Sequence, residues 1–405
     1  MTTSADALLD DTAPPNPMAL LFGPGGADDP HPAYRELRER CPVARTEIEG
    51  VSSVYLSRYQ DVLWAMRHPE VFSSDVEALS IGQEQPLIPL QVDPPDHTRY
   101  RRLLNPEFLP RTIARIEPDV RALVGELVDA FAGRGECDIH VELATPLPST
   151  IFLRLMGLPQ SDLSTFLGWR DDIIRPDVEP GDFEAAARVR AEAGRGISAY
   201  FREKLAAKRA RPDAELLSRL VTAEIDGERL TERELLGTCH LLLLAGLDTV
   251  TATLDCMVVH LARHPEQRRQ LVEDPSLIPS AVEELLRHQT PVMVVLRIVA
   301  RDVTIGDVDL RAGDHVTLVL GSANTDAGAF TDPEVAQLDR AANKHLAFGG
   351  GNHLCLGAHL ARAELRIGLE ELHRRIPDYE LAPGADITFS PGIRQAEHLP
   401  IVFHV

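Results

Sequence analysis

A cysteine at the end of a glycine-rich run is the residue of this chain best placed to do chemistry. Residues 345–362 read HLAFGGGNHLCLGAHLAR, with Cys355 just before a predicted helix. Glycine lets a loop fold back on itself, and the N–H groups of such a loop and the positive end of a helix dipole stabilise an anion. Both effects favour the thiolate, which is the form that binds soft metals or attacks substrates. The pattern therefore predicts a metal-ligating or reactive cysteine at position 355.

The remaining cysteines indicate neither a disulfide framework nor a zinc site. They are far apart and form no C-x-x-C pair. We expect them to be small buried apolar residues. They are Cys41, Cys137, Cys239 and Cys256.

An acid and an alcohol, Asp248 and Thr249, interrupt the most apolar part of the chain. A capping box at Thr231–Glu234 predicts a helix that runs without proline to Pro265, roughly 50 Å long. Gly246 costs such a helix about 1 kcal/mol. One explanation is close helix packing with a solvated Asp248. The other is a local widening of the helix where a small ligand binds between polar groups. The residues alone leave both open.

Periodicity places these residues in one mainly α-helical domain with a small β lobe, the α+β class. The pattern is mostly helical from Asp93 to about Arg269, and a period of two from Arg297 to Leu320 predicts a small antiparallel sheet. Two further strands are expected at Val43–Ile48 and Ser53–Leu56, joined by a turn at Glu49-Gly50. We expect residues 1–17 to be a flexible leader and residues 18–405 to be a single domain.

Composition excludes several classes of protein. The chain has 405 residues, of which 44% are hydrophobic and 25% charged, as in ordinary soluble proteins. Its formal net charge of −21 disfavours nucleic acid and anionic membranes as partners. The N-terminus lacks the basic region of a secretory signal, and we predict no membrane anchor. We therefore expect a cytoplasmic protein.

Four segments resemble the cytochrome P-450 superfamily and occur in the order found there. The loop FGGGNHLCLG at 348–357 resembles the haem-binding loop, and AGLDT at 245–249 resembles the oxygen-binding segment of the long central helix. DPPDHTRYR at 93–101 resembles the helix over the haem edge in soluble bacterial members, and ELLR at 284–287 resembles a helical ion pair. The resemblance covers about residues 30–405, and it implies the cytochrome P-450 fold with a long central helix over the haem.

The resemblance also implies a set of cofactor contacts. Cys355 would be the axial ligand of haem b, that is, iron protoporphyrin IX. The further cofactor-binding residues would be His97, Arg101, Ala245, Gly246, Arg297, Phe348, Gly349, His353, Leu356, Gly357 and Ala361. Four of these, His97, Arg101, Arg297 and His353, would bind the propionates, because buried anions need cationic or hydrogen-bonding partners. Glu284, Arg287 and Arg340 would form a buried structural network.

The implied activity is that of a monooxygenase, which inserts one atom of dioxygen into a small-to-medium apolar substrate by hydroxylation or epoxidation. Terpenoids, steroids, macrolides and fatty acids all remain open. Asp248 and Thr249 would be catalytic, delivering protons. Electrons would come from a soluble ferredoxin with its ferredoxin reductase, and an arginine patch around the haem-flanking helices could attract such an acidic partner. The patch residues are Arg99, Arg102, Arg362 and Arg366. The candidate pocket walls are Ile81–Leu90, Leu241, Leu244, Leu247, Val292–Leu296 and Ile393.

Three other functions compete with this interpretation. A haem-thiolate peroxygenase on the same fold would not need Asp248 and Thr249. A haem-thiolate sensor would be expected to carry a signalling or DNA-binding domain. A cysteine hydrolase would use Cys355 with His353 or His359 and would be colourless.

Overall fold

Helices make up most of the molecule, and short strands form a smaller lobe, as the sequence predicted. The structure is a computed structural model that describes residues 16–48, 51–75, 82–179, 181–225 and 227–405. In chain order the helices are α1 (Pro17–Phe22), α2 (His31–Arg40), α3 (Tyr59–Arg67), α4 (Asp96–Leu104), α5 (Pro110–Phe131), α6 (Pro146–Met156), α7 (Leu163–Ile174), α8 (Phe183–Ala210), α9 (Leu216–Thr222), α10 (Glu232–Leu247), α11 (Thr249–Arg263), α12 (Pro265–Glu273), α13 (Ile278–Gln289), α14 (Leu320–Asn324) and α15 (Ala358–Arg375). The strands are β1 (Val43–Ile48), β2 (Val51–Leu56), β3 (Phe72–Ser73), β4 (Glu136–Asp138), β5 (Glu224–Ile225), β6 (Glu228–Arg229), β7 (Val294–Val299), β8 (Val303–Ile305), β9 (Val308–Leu310), β10 (His315–Val319), β11 (Tyr379–Leu381) and β12 (Pro400–Phe403).

The N-terminal end of the described chain is already helical. The side chain of Asn16 caps α1 by accepting a hydrogen bond from the Met18 N–H at 3.0 Å. Pro17 occupies the first helical position, where its missing N–H costs nothing, and it is buried. The predicted leader of residues 1–17 overlaps the start of this helix, and residues 1–15 lie outside the described residues.

The β lobe is a mixed sheet rather than a purely antiparallel one. Its five strands lie in the order β1-β2-β10-β7-β3. β10 is antiparallel to β7, where Val316 pairs with Arg297, and parallel to β2, where Val316 pairs with Val54. The antiparallel prediction for residues 297–320 is confirmed by the β7–β10 and β8–β9 pairings, whereas it did not include the pairing of β10 with β2. That pairing joins two distant parts of the chain, so no local pattern encodes it. The turn expected at residues 49–50 lies outside the described residues.

The largest apolar core fixes the helix that follows the cysteine loop. It is formed mainly by α5, α11, α13 and α15, and it contains Val124 of α5, Leu254 of α11 and Leu365 of α15, each no more than 1% exposed. Burying one such side chain stabilises the fold by about 1.5–3 kcal/mol. α15 is therefore held rigidly, and its first turn carries the loop that ends at Cys355.

The predicted central helix is interrupted. α10 ends at Leu247 and α11 begins at Thr249, with Asp248 between them at φ −108° and ψ −36°. The Thr249 hydroxyl donates to the Ala245 carbonyl at 2.9 Å, a bond that competes with the regular helix ladder. The capping box at Thr231 is confirmed. The prediction of one continuous helix is therefore wrong at Asp248, where the backbone departs from regular helical geometry.

Both explanations offered for this segment hold in part. A Cβ at Gly246 would lie 3.2 Å from the Phe152 ring, so the glycine does serve close packing. Asp248, however, is completely buried, and the expectation that it is solvated is wrong. By length and composition, Glu232–Arg263 could cross a membrane, but 78% of its most apolar window is buried inside the protein. It is a core helix of this fold.

Candidate active site

Two glycines shape the cysteine loop. Gly349 and Gly351 have φ values of +74° and +63°, which side chains rarely adopt. A Cβ at Gly351 would also lie 2.2 Å from the Met66 carbonyl oxygen. The loop closes where the Cys355 N–H donates to the Phe348 carbonyl at 2.8 Å. The predicted folding-back of this loop is confirmed.

Cys355 is surrounded closely by protein atoms, but part of its surface is accessible. Burial raises the pKa of its thiol, whereas the Gly357 N–H and the guanidinium groups of Arg101 and Arg362 lower it, and burial dominates. The predicted stabilisation of the thiolate by loop N–H groups is thus present, but desolvation opposes it. A cation bonded to sulfur would supply the missing stabilisation. Cys355 nevertheless retains accessible surface.

The central helix offers accessible surface in the same part of the molecule. Ala245 is exposed and Gly246 and Thr249 are partly accessible, although most residues around them on the helix are buried. Leu356, next to the cysteine, packs against the apolar cluster that contains Leu244 of α10. The cysteine loop and the break in the central helix therefore belong to one region, and both have accessible surface.

The small residues of the loop and of α15 leave that region open. A Cβ added at Gly357 would meet no atom within 4 Å. Ala361, one turn further along α15, is partly buried against the main core. The ring of Phe348 packs on that core too, and the Arg362 guanidinium lies 4.5 Å from its centroid. Phe348 thus anchors the loop to the core, and the space next to Gly357 is free of protein atoms.

Four basic side chains converge beside the loop, and the charge of Asp93 acts on two of them, His97 and Arg297. The rings of His97 and His353 have centroids 4.2 Å apart, and Arg101 donates to the Leu354 carbonyl at 2.8 Å. Arg297 is 7% exposed and donates to the Leu296 carbonyl at 2.6 Å. Among the residues that the structure describes, these four side chains form no ion pair.

The electrostatics of this basic cluster favour an anion. His97 is 2% exposed, and neither of its ring nitrogens has a hydrogen-bond partner, nor does Nε2 of His353. Burial and the neighbouring guanidinium groups lower the pKa of His97 to about 4 and that of His353 to about 3. Burial also lowers the pKa of Arg297 to about 10. Unpaired buried donors are costly, and a bound carboxylate would satisfy them.

Asp248 is the most isolated buried acid of the site. Neither of its carboxylate oxygens has a hydrogen-bond partner, and burial raises its pKa. Arg175 and Arg170 lie 3.7 and 3.9 Å from Oδ1, too far for a hydrogen bond, and both donate to Asp171. Both guanidinium groups therefore act on the acid through their charge rather than through a hydrogen bond. Asp171, the carboxylate to which both donate, is half exposed.

The predicted ion pair is a buried network that supports the loop. Arg287 donates to both oxygens of Glu284 at 2.8 and 2.7 Å, and Arg340 Nε lies 3.1 and 3.0 Å from the same oxygens. Arg287 also donates to the Asn324 carbonyl, and the Asn324 side chain accepts from the Leu346 N–H. The network therefore ties α13 to the start of the cysteine loop, and its structural role is consistent with this geometry.

The predicted arginine patch is largely neutralised. Arg99 pairs with Glu234 at 2.8 Å, and Arg362 pairs with Glu283 at 2.7 Å. Arg366 pairs with two glutamates, at 2.7 and 3.1 Å. At least three of the four arginines thus face carboxylates, and the surface offers less positive charge than the sequence suggested.

The predicted pocket walls divide into core and accessible residues. Leu247 and Met293 are fully buried and pack in the core, so they are not wall residues. Leu244 is 8% exposed and also packs in the core. Val292 and Ile393 form an isolated bridge and are partly accessible. Accessible surface also occurs at Leu90, Leu241, Val295 and Leu296, while Ile81 lies outside the described residues.

Sequence reasoning missed the side chains that surround Asp248. Arg170 and Arg175 come from α7 and its C-terminal end, and a buried His140–Asp255 pair lies nearby. Within the segment WRDDIIRP, nothing distinguishes Arg170 and Arg175 from ordinary surface arginines. Buried charges spread over distant segments leave no spacing signal, although Asp255 inside an apolar helix was a hint.

The cysteine loop and the basic cluster fit a haem group, and the comparison with known proteins points to a haem protein as well. The family model for Cytochrome P450 matches residues 13–376. The chain is 36% identical over 379 residues to a steroid C26-monooxygenase of Mycobacterium tuberculosis, covering 92% of this chain and 93% of the relative. It is 35% identical over 397 residues to the cyclomarin C epoxidase CymV of Salinispora arenicola, covering 95% and 98%.

Solved structures give the same answer for the fold. The structure of CYP109E1 from Bacillus megaterium in complex with testosterone has a TM-score of 0.87 and 33% identity, over 94% of this chain and 99% of that one. A mutant of P450 EryK in complex with erythromycin B has a TM-score of 0.85 and 33% identity, over 93% and 97%. A family match over nearly the whole chain, an accessible cysteine at the end of a glycine-rich loop and a basic cluster beside it lead to one conclusion: the chain belongs to the cytochrome P450 family, the haem-thiolate monooxygenases that use haem b.

Proposed function

We propose that this enzyme inserts one atom of dioxygen into a small-to-medium apolar substrate, with Cys355 as the ligand of the haem iron. When bound, haem supplies the metal centre at which dioxygen is activated and an oxygen atom is transferred. The observation that carries the proposal is the juxtaposition of an accessible cysteine with four basic side chains that form no ion pair among the described residues. This juxtaposition fits a cofactor whose metal takes a thiolate ligand and whose two carboxylates need basic partners.

The basic cluster would hold the propionates of the haem. Arg297 and Arg101 provide charge-assisted donors, and His97 and His353 provide ring nitrogens that lack partners. Two bound carboxylates would raise the low pKa values of both histidines, because an anion stabilises the imidazolium. Cofactor binding would thus give the four basic side chains carboxylates with which to form ion pairs.

The break in the central helix would provide the protons. The Thr249 hydroxyl donates to the Ala245 carbonyl, so its oxygen remains free to accept a hydrogen bond on the accessible side. The adjacent Asp248, desolvated and without a hydrogen-bond partner, can hold a proton at neutral pH more readily than a solvated acid. We assign proton delivery to this pair, with Thr249 positioning the proton and Asp248 resupplying it.

We further propose a separate soluble ferredoxin with its reductase as the source of electrons, in the cytoplasm. The family match fills residues 13–376, which supports an electron donor outside this domain. Because most of the arginine patch is paired with carboxylates, steering by charge should be weak. Turnover with ferredoxin should therefore depend little on ionic strength.

The substrate class is proposed from the apolar wall and the relatives. The accessible wall residues Leu241, Val292 and Ile393 offer apolar contact, which favours apolar ligands. One relative is named a steroid C26-monooxygenase, and neighbouring structures hold testosterone and erythromycin B. A steroid or a macrolide is therefore the first choice. Terpenoids and fatty acids complete the panel, and a ligand-induced change in the haem absorption spectrum would identify the class.

The decisive experiment is the spectrum of the reduced protein under carbon monoxide. Purified wild-type protein should give the spectrum of thiolate-ligated haem, and Cys355→Ser should lose it. Cys41→Ser, at a partly buried cysteine far from the loop in sequence, is the matched control and should keep it. A colourless wild-type protein, or imidazole-type spectra in intact protein, would overturn the proposal. Product formation with peroxide and without ferredoxin would favour the peroxygenase alternative.

A further inference from the structure

Four histidine rings lie side by side where the start of α2 meets the C-terminal ends of α11 and α13. The ring centroid of His288 is 4.6 Å from that of His31 and 5.5 Å from that of His260. The rings of His260 and His264 have centroids 4.1 Å apart. Among the residues that the structure describes, none of these four rings forms an ion pair with a carboxylate. Nothing in the proposed mechanism uses this histidine cluster.

One side chain, Gln289, bridges two of these rings. Its Nε2 lies 3.2 Å from Nδ1 of His260 and 3.0 Å from Nδ1 of His288. An amide nitrogen has two hydrogens to donate and does not accept hydrogen bonds. Both Nδ1 atoms must therefore be acceptors, so neither of them carries a proton.

A buried arginine fixes the orientation of the Gln289 amide. Arg394 is 3% exposed, and its Nη1 donates to Oε1 of Gln289 at 3.3 Å and to the Gln289 backbone carbonyl at 2.6 Å. A guanidinium group has only donors, so a flipped amide would set one N–H group against another. The amide nitrogen of Gln289 must consequently face the histidines.

The other nitrogen of each bridged ring is a donor. Nε2 of His288 lies 2.9 Å from the Glu334 backbone carbonyl. Nε2 of His260 lies 2.9 Å from Oε1 of Gln267, whose own Nε2 donates to the Ala336 carbonyl at 3.0 Å and so fixes which end of that amide accepts. Both imidazoles are thus held in the neutral form that is protonated at Nε2, and neither has an acceptor for a second proton.

The surroundings of the rings favour the same neutral form. Burial is the largest influence, and it lowers the pKa of His31 and of His260 to about 4 and that of His288 to about 3. The other titratable and charged groups that face these rings come from α2, α11, α12 and α13 and from the segments around residues 334 and 394. They are Tyr34, Arg38, His264, Glu266, Glu284, Arg287, Glu334 and Arg394.

The bridge also fastens a wall of the proposed substrate region. The Arg394 N–H donates to the Pro291 carbonyl at 2.8 Å. Next to this bond, the partly accessible residues Val292 and Ile393 form an isolated bridge. The turn that carries Ile393 is therefore tied to the end of α13 through Arg394 and Gln289.

We propose that Gln289 and its two histidines form an acid-sensitive joint, which holds the turn of Ile393 in place while both rings are neutral and opens when either ring gains a proton. A proton on Nδ1 would set a donor against the Gln289 donor inside the protein, and a buried group left without its hydrogen bond costs about 1–3 kcal/mol. Opening would release the Gln289 side chain and with it one contact that holds Arg394. Acid would thus loosen one wall of the substrate region, and only this consequence rests on the proposed function.

The first test reads the protonation of the rings directly, in the holoenzyme reduced under carbon monoxide. Nuclear magnetic resonance of isotope-labelled histidine identifies the protonated ring nitrogen, with signals assigned by their loss in His260→Gln and His288→Gln. In wild-type protein at neutral pH, both rings should carry a single proton, at Nε2. Gln289→Glu replaces the shared donor by a carboxylate. It should raise the titration midpoint of at least one ring by about two pH units, because an adjacent anion stabilises the imidazolium.

The second test follows hydrogen exchange of the Arg394 amide, corrected for the intrinsic effect of pH on exchange. In the opened joint the histidines titrate near their ordinary value of about 6.5, so protection in wild-type protein should fall at least about tenfold for each pH unit below that value. In Gln289→Glu the fall should be much smaller, because the closed joint then also binds the proton. The control is His373→Gln, at a buried histidine that lies 3.4 Å from the Tyr379 hydroxyl, and it should match wild type.

Three results would overturn the proposal: a wild-type ring with its proton on Nδ1, ring midpoints unchanged in Gln289→Glu, or protection with the same pH dependence in wild type and Gln289→Glu. If Gln289→Glu does not fold, the wild-type ring protonation and the shallower pH dependence of protection expected for His260→Gln decide. A thiolate-type carbonyl spectrum at neutral pH in the same preparations separates failure of the joint from failure of the proposed function.

Discussion

Arg297 is the position where one substitution should have opposite effects on the haem-free and haem-bound protein. Its side chain is 7% exposed on β7, and among the described residues it has no ion-pair partner. Burial lowers its pKa from 12.5 to about 10, with Asp93 opposing. Arg297→Met keeps the length of the apolar stem and removes the charge.

The size of the effect follows from the pKa. The difference between 12.5 and about 10 corresponds to about 3 kcal/mol, at about 1.4 kcal/mol per pKa unit. Because the folded-state pKa lies below that of the unfolded chain, this penalty is fully present at neutral pH and disappears only as the pH rises from about 10 to 12.5. Arg297→Met should raise the free energy of unfolding of the haem-free protein by up to about 3 kcal/mol.

Haem binding should change in the other direction. Losing a charge-assisted hydrogen bond to a propionate costs about 1.5–3 kcal/mol, so haem affinity should fall roughly 10- to 100-fold. Urea unfolding of the haem-free protein measures the first quantity, and the rate of haem transfer to excess apomyoglobin reports the second. Arg301→Met, at an exposed arginine just beyond β7, is the control and should change neither. A destabilised haem-free variant with unaltered haem loss would refute this reasoning.

Three further predictions test other parts of the site. Thr249→Ala should still consume NAD(P)H, but most of the reducing equivalents should end in peroxide, which lowers the amount of product formed per NAD(P)H. The control is Thr238→Ala, which removes a hydroxyl of α10 that also donates to the carbonyl four residues earlier, and it should keep the wild-type ratio. Glu284→Gln leaves the Arg287 guanidinium buried without its counter-charge and should lower the free energy of unfolding by about 3–5 kcal/mol in urea; a loss below about 1 kcal/mol would contradict the buried network. Burial lowers the pKa of His260 to about 4. As the pH falls below about 6.5, this histidine is therefore protonated in the unfolded chain before it is protonated in the folded one. The free energy of unfolding should drop by about 1.4 kcal/mol per pH unit from this residue alone until about pH 4. Urea midpoints at a series of pH values measure that slope, and His260→Gln should reduce it.

The sequence was most informative where function depends on the local backbone. The φ values of Gly349 and Gly351 and the closure of the loop on Phe348 follow from residue types within ten positions of Cys355. The capping box at Thr231 is equally local. In such segments each residue restricts its neighbours, so spacing alone predicts conformation.

Long-range electrostatics could not be predicted in this way. The sequence suggested a solvated Asp248, but the fold buries it between arginines of α7 and a histidine more than a hundred residues earlier. It also suggested a basic patch, but tertiary packing paired Arg99 and Arg362 with glutamates.

The sequence by itself determined the class of protein, the cysteine and the helices that carry it. Only the tertiary structure decided that β10 pairs in parallel with β2, that the basic cluster has no ion-pair partner among the described residues and that burial opposes ionisation of the Cys355 thiol. The physical reason is that backbone conformation and amphipathic periodicity are set within a few residues. Desolvation and charge pairing, in contrast, depend on which distant segments the core brings together.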